Sequence, residues 1–543
     1  MSDAKTVLTK FENMREDRAG HEQTWHRVAS LLLPLRKNFS GQSGSKGERR
    51  HTKIYDSSGL VAVSNFKAGL YGTVTNPATQ WFEIGILGAD ENEYTFGAGR
   101  NWLDEVTRRL RISFSPAMSA FYGQAPAIYA DIGVLGNGIM FSRELVGQQK
   151  FQDKTISLED AYFSENDAGE VDELCRLMCP TAKQAIGEFG RDAVSSKVTA
   201  AFDKNSMEKF DFVHWVGTNP DYVPGATIGA KSFAFLSLYV EKREKRVVKQ
   251  EFFHSFPFQV PRWDVASGET YGRGIGEMAI ADVASGQAMR RTNLTAGERA
   301  ANPTLLATDE QSMRQAVRAV PGSTIYGGMG LDGKRRVEVL YEGKNLSISL
   351  EMENQIRDSV KDAFLFSLMQ IQGSADMTAT EFLGRQQERW RLLGPHLGRI
   401  ESEFLTPLIR RRFMLLMNAD QIPQPPEEIA GRPLQVRYIG QAAKLQRVAE
   451  AESAMMTANG LMSVAQAKPE VMDRLDPDRF AEALDRGYGS NIIFSREEAA
   501  VIAEARSQQQ QRQAMLEAAP DLARAGKDAA QAQQIANEAP APA

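Results

Sequence analysis

A polar loop set between two helices, the second very long and broken by prolines, constrains this chain more than any other feature. Ser359–Ile371 carries apolar residues at Val360, Ala363, Phe364 and Leu368, close to the helical repeat. Gly373-Ser374-Ala375-Asp376 breaks it, and Thr378-Ala-Thr-Glu381 offers a capping box for the next helix. Beyond the box, Phe382, Trp390, Leu393, Leu397, Ile400, Phe404, Leu408 and Ile409 form one apolar stripe. Gly394-Pro395 and Thr406-Pro407 predict bends, because each proline removes a donor and clashes one turn back. A helix over 378–417 would span about 60 Å. Such a kinked beam suits a structural machine part better than a catalytic domain.

Composition narrows the class. The 543 residues allow about three or four domains, and 42% hydrophobic residues suffice for sizeable cores. A formal charge of −5 gives no global grip on a polyanion, so any DNA contact must be local or weak. Two cysteines argue against a disulfide framework and fit a reducing cytoplasm. No run approaches the roughly 18 apolar residues of a membrane span, and the N-terminus opens amphipathic and charged. A soluble intracellular product is expected.

Along the chain, Lys5–Leu33 reads as helix, stopped by Pro34. Arg36–Lys53 is a basic Gly/Ser loop, and Asp56-Ser57 caps a helix that ends at Gly72–Pro77. Asn101–Gly123 reads as helix, and Ala127–Phe141 as a small-residue stretch suited to close backbone packing. Phe141–Cys175 suggests short strands and turns, and Thr181–Phe202 one helix. Phe210–Arg262 is β-rich, with Lys242–Lys249 as a charged hairpin end. A helix follows from Glu277 to about Ala301, then a β patch at Thr304–Leu306 and Ser323–Tyr341. After the beam come a Pro-rich joint, helices from Ala442 onward, and a Gln/Ala-rich tail after Gln508. The fold class is α+β, mainly helical.

Chemical signatures fail one by one. Gly328-Met-Gly-Leu-Asp-Gly333-Lys334-Arg335 nearly matches a phosphate-binding loop, but Arg335 stands where Ser or Thr should reach Mg²⁺. A strand, not a helix, follows it, which predicts a hairpin turn. His21 and His26 sit at i,i+5, about 140° apart on a helix, too far round to share one zinc. Cys175 and Cys179 have no histidine within thirty residues and read as buried small hydrophobes. Gly272-Arg-Gly274-Ile-Gly276 lacks the third dinucleotide glycine, with acidic Glu277 in its place. No catalytic residue, metal ligand or cofactor site is expected. Two basic clusters, Lys242/Arg243/Lys245/Arg246/Lys249 and Arg410-Arg411-Arg412, read as solvated faces with a contact surface as the alternative.

Many short stretches, in order, resemble one family. Trp25–Pro34, Tyr55-Asp-Ser-Ser-Gly59, Gly69–Pro77, Trp81-Phe82 and Tyr129-Ala-Asp-Ile-Gly133 look like portal proteins of short-tailed (podovirus-type) bacteriophages, also called head-to-tail connecting proteins. The likeness continues through Arg262-Trp263, Tyr271-Gly-Arg-Gly274, Asn302-Pro303, Met377–Glu381, Gly394-Pro395, Pro469–Asp473 and Asp476-Pro-Asp478.

The resemblance implies a portal fold of wing, stem, clip, channel loop and crown, assembled as a dodecameric ring. By position, residues 1–180 and 304–440 would be wing, 181–203 a first stem helix, and 204–274 clip. Residues 275–303 would be the second stem helix, 378–417 the kinked wing helix, 441–507 crown and 508–543 a flexible tail. The channel loop, 370–377, would turn Gln370, Gln372, Gly373, Ser374, Asp376 and Met377 toward DNA. Lys242, Arg243, Lys245, Arg246 and Lys249 would face partners at the clip. The family implies double-stranded DNA in the channel, with terminase, scaffolding protein, major capsid protein and a tail adaptor as partners. It also implies a place at the capsid vertex of the virion after synthesis in the host cytoplasm, and neither cofactor nor membrane segment. Two other readings compete: another virion adaptor or internal core protein, and an enzyme (a nucleotide hydrolase using Lys334, or a metallopeptidase using His21 and His26).

Overall fold

The computed structural model describes residues 4–35, 54–88, 98–145, 148–226, 228–302 and 393–439, with parts of 304–366 and of the region after 451. In chain order its first elements are α1 (Ala4–Leu32), α2 (Ser58–Val74), β1 (Phe82–Ile86), α3 (Ala98–Ser113), α4 (Phe121–Leu135), β2 (Met140–Leu145) and β3 (Lys150–Thr155). Then come β4 (Ala161–Glu165), β5 (Val171–Met178), α5 (Ala182–Phe189), α6 (Ser196–Asp203), β6 (Phe212–Thr218), β7 (Phe235–Glu241), β8 (Arg246–Phe253) and β9 (Phe258–Gln259). The last are α7 (Ile275–Ala301), β10 (Leu305–Ala307), β11 (Val337–Val339), α8 (Leu346–Ala363), α9 (Thr406–Asn418) and β12 (Leu434–Tyr438). Helix and strand are mixed as the α+β reading expects. The chain divides into two compact units, 1–81 with 109–422 and 82–108 with 423–543.

The larger unit is built round an antiparallel sheet in the order β4-β5-β6-β7-β8. Its central strand, β6, is buried on both faces, because alternate residues serve two different cores. Val213 and Trp215 meet Leu236, Leu238 and Val240 under Val7, Phe11 and Met14 of α1. Phe212 and Tyr239 point the other way, against Ala185, Val198 and Ala201 of α5 and α6. The sheet is thus the middle of three layers, and it joins strands from both sides of the 181–203 segment. That segment is not the single helix expected: Gly190, at φ +86°, ends α5, and extended Ser195 opens α6. Two eight-residue helices cover a sheet face where a continuous rod was anticipated.

Two other expectations change in detail. The helix expected over Asn101–Gly123 is two, because α3 ends at Ser113, a turn holding Pro116 follows, and α4 starts at Phe121. The helix expected to reach Ile371 starts earlier, at Leu346, and stops at Ala363, with Leu365 at φ +55° beyond it.

Glycines lock α4 to the start of α7. Gly136 caps α4 at φ +81°, and a Cβ there would lie 2.3 Å from the carbonyl oxygen of Gly272. A Cβ on Gly274 or Gly276 would stand 2.7 Å or 2.4 Å from the carbonyl oxygen of Val134. Asn137 fastens the crossing in both directions: its amide donates to the Gly272 carbonyl at 2.8 Å, and its oxygen accepts from Gly272 N–H at 2.8 Å. The near-dinucleotide motif is therefore a backbone crossing, and the close packing expected of the small-residue stretch is realised there.

At the second expected bend the helix changes its winding. Residues 393–400 are helical, Glu401–Leu405 form a π-turn, and α9 continues from Thr406. Thr406 N–H donates to Glu401, and Pro407 has no N–H to offer the next acceptor, so the wider turn absorbs the missing bond. Residues 367–392, which hold the expected channel loop and capping box, lie outside the described residues.

In the smaller unit, β1 pairs antiparallel with β12, from Phe82 opposite Tyr438 to Ile86 opposite Leu434. Trp102 of α3 donates from its indole to the Pro423 carbonyl at 2.8 Å.

Candidate connector surfaces and buried anchors

The β7–β8 hairpin carries the five cations singled out at the clip, and most of their charge is spent within the subunit. Lys242 sits 4.7 Å over the Phe11 ring and 3.2 Å from Glu12. Lys249 pairs with Glu251 at 2.8 Å and Glu188 at 3.4 Å, and lies over Tyr239. Arg246 donates to the Asp192 carbonyl, and Glu244 in the turn takes Lys197 at 2.8 Å. Arg243 and Lys245 remain exposed at the tip, without an ion pair among the described residues, and Lys245 turns the chain at φ +51°. The hairpin's charges are thus mostly paired, with two exposed cations left at its turn. Gln370, Gln372, Gly373, Ser374, Asp376 and Met377 lie outside the described residues.

The triplet Arg410-Arg411-Arg412 does not form a surface patch. Arg411 and Arg412 are 3% and 0% exposed. Arg411 donates to the Ser142 carbonyl at 3.0 Å and the Ser255 carbonyl at 2.7 Å. Burial lowers its pKa to about 10. Arg412 pairs with buried Asp153 and lies 3.8 Å over the Phe151 ring. Helical phase held the signal: Leu408, Ile409 and Leu416 flank Arg412 at i−4, i−3 and i+4, so it faces the core.

Another buried guanidinium, that of Arg262, joins four segments. Arg262 uses all five of its donors: Nε and one Nη2 hydrogen on Glu403, Nη1 on Glu165 at 2.6 Å and on the Thr270 carbonyl, Nη2 also on the Gly169 carbonyl. Glu403 stands in the π-turn, so the local widening of the helix aims its carboxylate at Arg262. Nothing in the local pattern points to this node, because the partners lie as far as 141 residues from Arg262.

His214 is the buried titratable group with the clearest consequence. Its Nε2 meets Ser237 Oγ at 3.0 Å, and its ring stacks on Tyr239 at 4.0 Å. Burial, reinforced by Arg176, Arg143 and Lys249, holds its pKa well below 6.5. The unfolded chain takes up a proton below 6.5 and the native chain does not. Stability present above that pH is therefore lost as pH falls, by about 1.4 kcal/mol per unit for one proton. His21, half-buried against Trp25, adds a loss of the same sign. Urea unfolding between pH 7 and 5 is expected to give a shallower slope for His214→Gln than for the natural chain; equal slopes would remove His214 from this account.

Residues 4–491 match the model of a family described as bacteriophage head to tail connecting protein. The chain belongs to this family. Relatives resemble it over almost their whole length. One, named portal protein, of Salmonella phage epsilon15, is 26% identical over 525 residues, covering 94% of this chain and 92% of its own. Another, named probable portal protein, of Bordetella phage BPP-1, is 28% identical over 520 residues with the same coverage. The family reading made from the short stretches above therefore holds.

In this head-to-tail connecting protein those stretches are joints. Trp25 Nε1 donates to Glu277 at 3.0 Å, tying α1 to α7. Tyr129 and Thr75 share a buried hydroxyl bond at 3.0 Å, and Tyr271 accepts from Phe163 N–H at 3.1 Å. Trp263 stacks on His396 at 4.2 Å. The phosphate-loop near-match is the expected hairpin: Gly330 N–H donates to the Lys334 carbonyl, Met329 bridges Arg335, and strand β11 follows. Cys175 is buried as expected, but Cys179 is exposed beside Asp211. Among the described residues no cluster of three His, Cys, Asp or Glu side chains could hold a metal, and no helix is long and apolar enough to cross a membrane.

Proposed function

We propose that this connector acts as a non-catalytic portal, a dodecameric ring at one capsid vertex through which the genome enters during packaging and leaves at ejection. The observation that carries the reading is the family match across residues 4–491, which spans both compact units. The relatives' names, portal protein and probable portal protein, support the same role. Residues 370–377 would line the channel, with a Gln-Gly-Ser surface whose one charge, Asp376, is negative, so that phosphates slide without firm binding. The β7–β8 hairpin, with Arg243 and Lys245 at its tip, would face terminase or tail adaptor. Helix α7 would be a stem helix; α5 and α6 are too short for the other. Scaffolding and major capsid proteins would meet the wing. ATP hydrolysis would belong to the terminase, since the loop at Lys334 turns back into a strand.

Class averages of the purified protein by electron microscopy, with its mass in solution, test this. A closed ring with a central hole is expected. A chain that stays monomeric even with co-expressed scaffold would overturn the reading.

A further inference from the structure

Helices α7 and α8 form an antiparallel pair with two unlike outer faces. Arg290 pairs with Glu353 at 3.3 Å, Asn293 donates to Glu353 at 2.7 Å, and Ser359 donates to Asp282 at 2.7 Å. These partners fix the inner seam and the relative height of the two helices. On the far side of α7, exposed Ala281, Ser285, Ala288, Thr292, Thr295 and Arg299 recur at steps of four and three, one continuous stripe. A groove of about 450 Å³ runs along its second half, between Arg291 and Arg299. On the far side of α8, exposed Glu351, Gln355, Asp358 and Asp362 recur at the same steps.

We propose that these two faces are one contact: the outer face of α7 takes the outer face of α8 from a second copy of this chain, the neighbour in the ring. The inference rests on the ring reading above and names the surface that closes it. Three observations favour a second copy as the occupant. Rotational rings need heterologous contacts, two different and complementary patches on opposite sides of one subunit, and the stripes lie on opposite sides of the pair. Small residues on α7 let another helix approach closely, at about 8 Å between axes. Charge is complementary: Arg291 and Arg299 on one face, Glu351, Asp358 and Asp362 on the other. Glu298 on α7 and Lys361, which pairs with Asp358 at 2.7 Å, reduce the contrast without reversing it.

The inner seam also sets a register. Copies related by an axis along the helices stand at equal height, so the heights read from Arg290–Glu353 and Asp282–Ser359 apply across the contact. Arg291 then meets Glu351, and Ala288 meets Gln355.

Charge reversal tests the contact. Arg291→Glu and Glu351→Arg are each expected to raise the concentration needed for ring assembly about ten-fold or more. The combined variant is expected to restore it. Both positions are exposed, so circular dichroism should be unchanged. A second variant, Ala288→Cys with Gln355→Cys in a Cys179→Ser background, is expected to give a ladder of covalent multimers on oxidation. Rings that assemble normally with Arg291→Glu, or that form without a ladder, overturn this contact and leave the portal reading standing. A natural chain that forms no ring, with or without scaffold, overturns both.

Discussion

Replacing Asp153 by alanine is expected to cost about 3–5 kcal/mol of the larger unit's stability. The carboxylate is 3% exposed and its partner Arg412 is 0% exposed, so no water can replace what is removed. What remains after the substitution is a guanidinium packed over Phe151 and Phe114 with no counter-charge. Burial already lowers the pKa of Arg412, and Asp153 is what opposes that. Arg412 Nε and Nη1 and Asp153 Oδ1 also lack hydrogen-bond partners among the described residues. The pair is therefore incompletely satisfied, and its net contribution against an apolar alternative is small. Arg412→Met combined with Asp153→Leu is accordingly expected to be neutral or stabilising, although Asp153→Ala alone is strongly destabilising. Urea midpoints for the single and double variants decide it. An Asp153→Ala cost below about 1 kcal/mol would mean that water reaches the arginine.

Gly136→Ala is expected to exceed about 4 kcal/mol, or to prevent recovery of folded protein. Two penalties combine. The residue sits at φ +81°, which costs a non-glycine residue about 1–2 kcal/mol. Its new methyl would stand 2.3 Å from the Gly272 carbonyl oxygen and 2.5 Å from the Arg273 carbonyl carbon, both backbone atoms that cannot rotate away. Relief requires parting α4 from α7, which breaks the Asn137–Gly272 bonds. Gly72→Ala in α2 is the control: a Cβ there meets nothing within 4 Å, and helix propensity favours alanine by about 1 kcal/mol. Opposite signs for the two glycines are expected in the same unfolding measurement. A mild effect at Gly136 would show that the crossing can open without loss.

What the sequence made legible follows a physical line. Helix α1 was readable because Val7, Phe11, Met14, Trp25 and Val28 keep a helical period and Pro34 stops it. The β7–β8 hairpin was readable because its charged turn lies between runs of β-branched and aromatic residues. Thr181–Phe202 misled because its apolar periodicity runs across Gly190, and periodicity does not register a single left-handed residue. Arg410–Arg412 misled for a different reason. Three consecutive charges invite a surface reading, and what overrides it is Asp153, 259 residues earlier. The hairpin cations lie where expected, but their neutralisation by Glu12 and Glu188, on helices distant in sequence, was not readable from the run itself. Local pattern reports elements; it does not report who meets whom across the chain.

That distance has a consequence for how the protein comes into being. Strands β2 and β3 leave the ribosome long before α9, yet the side chains that close their core, Arg411 and Arg412, are 269 and 259 residues downstream of Ser142 and Asp153. At about 5–20 residues per second, translation separates the two by about 13–52 s. Throughout that interval Asp153 lacks the arginine that pairs with it in the finished fold, and Phe151 and Phe114 lack the guanidinium that covers them. The core closes only when α9 has been made. Closure of this core is thereby set to follow the translation of α9, with residues 419–543 still to come.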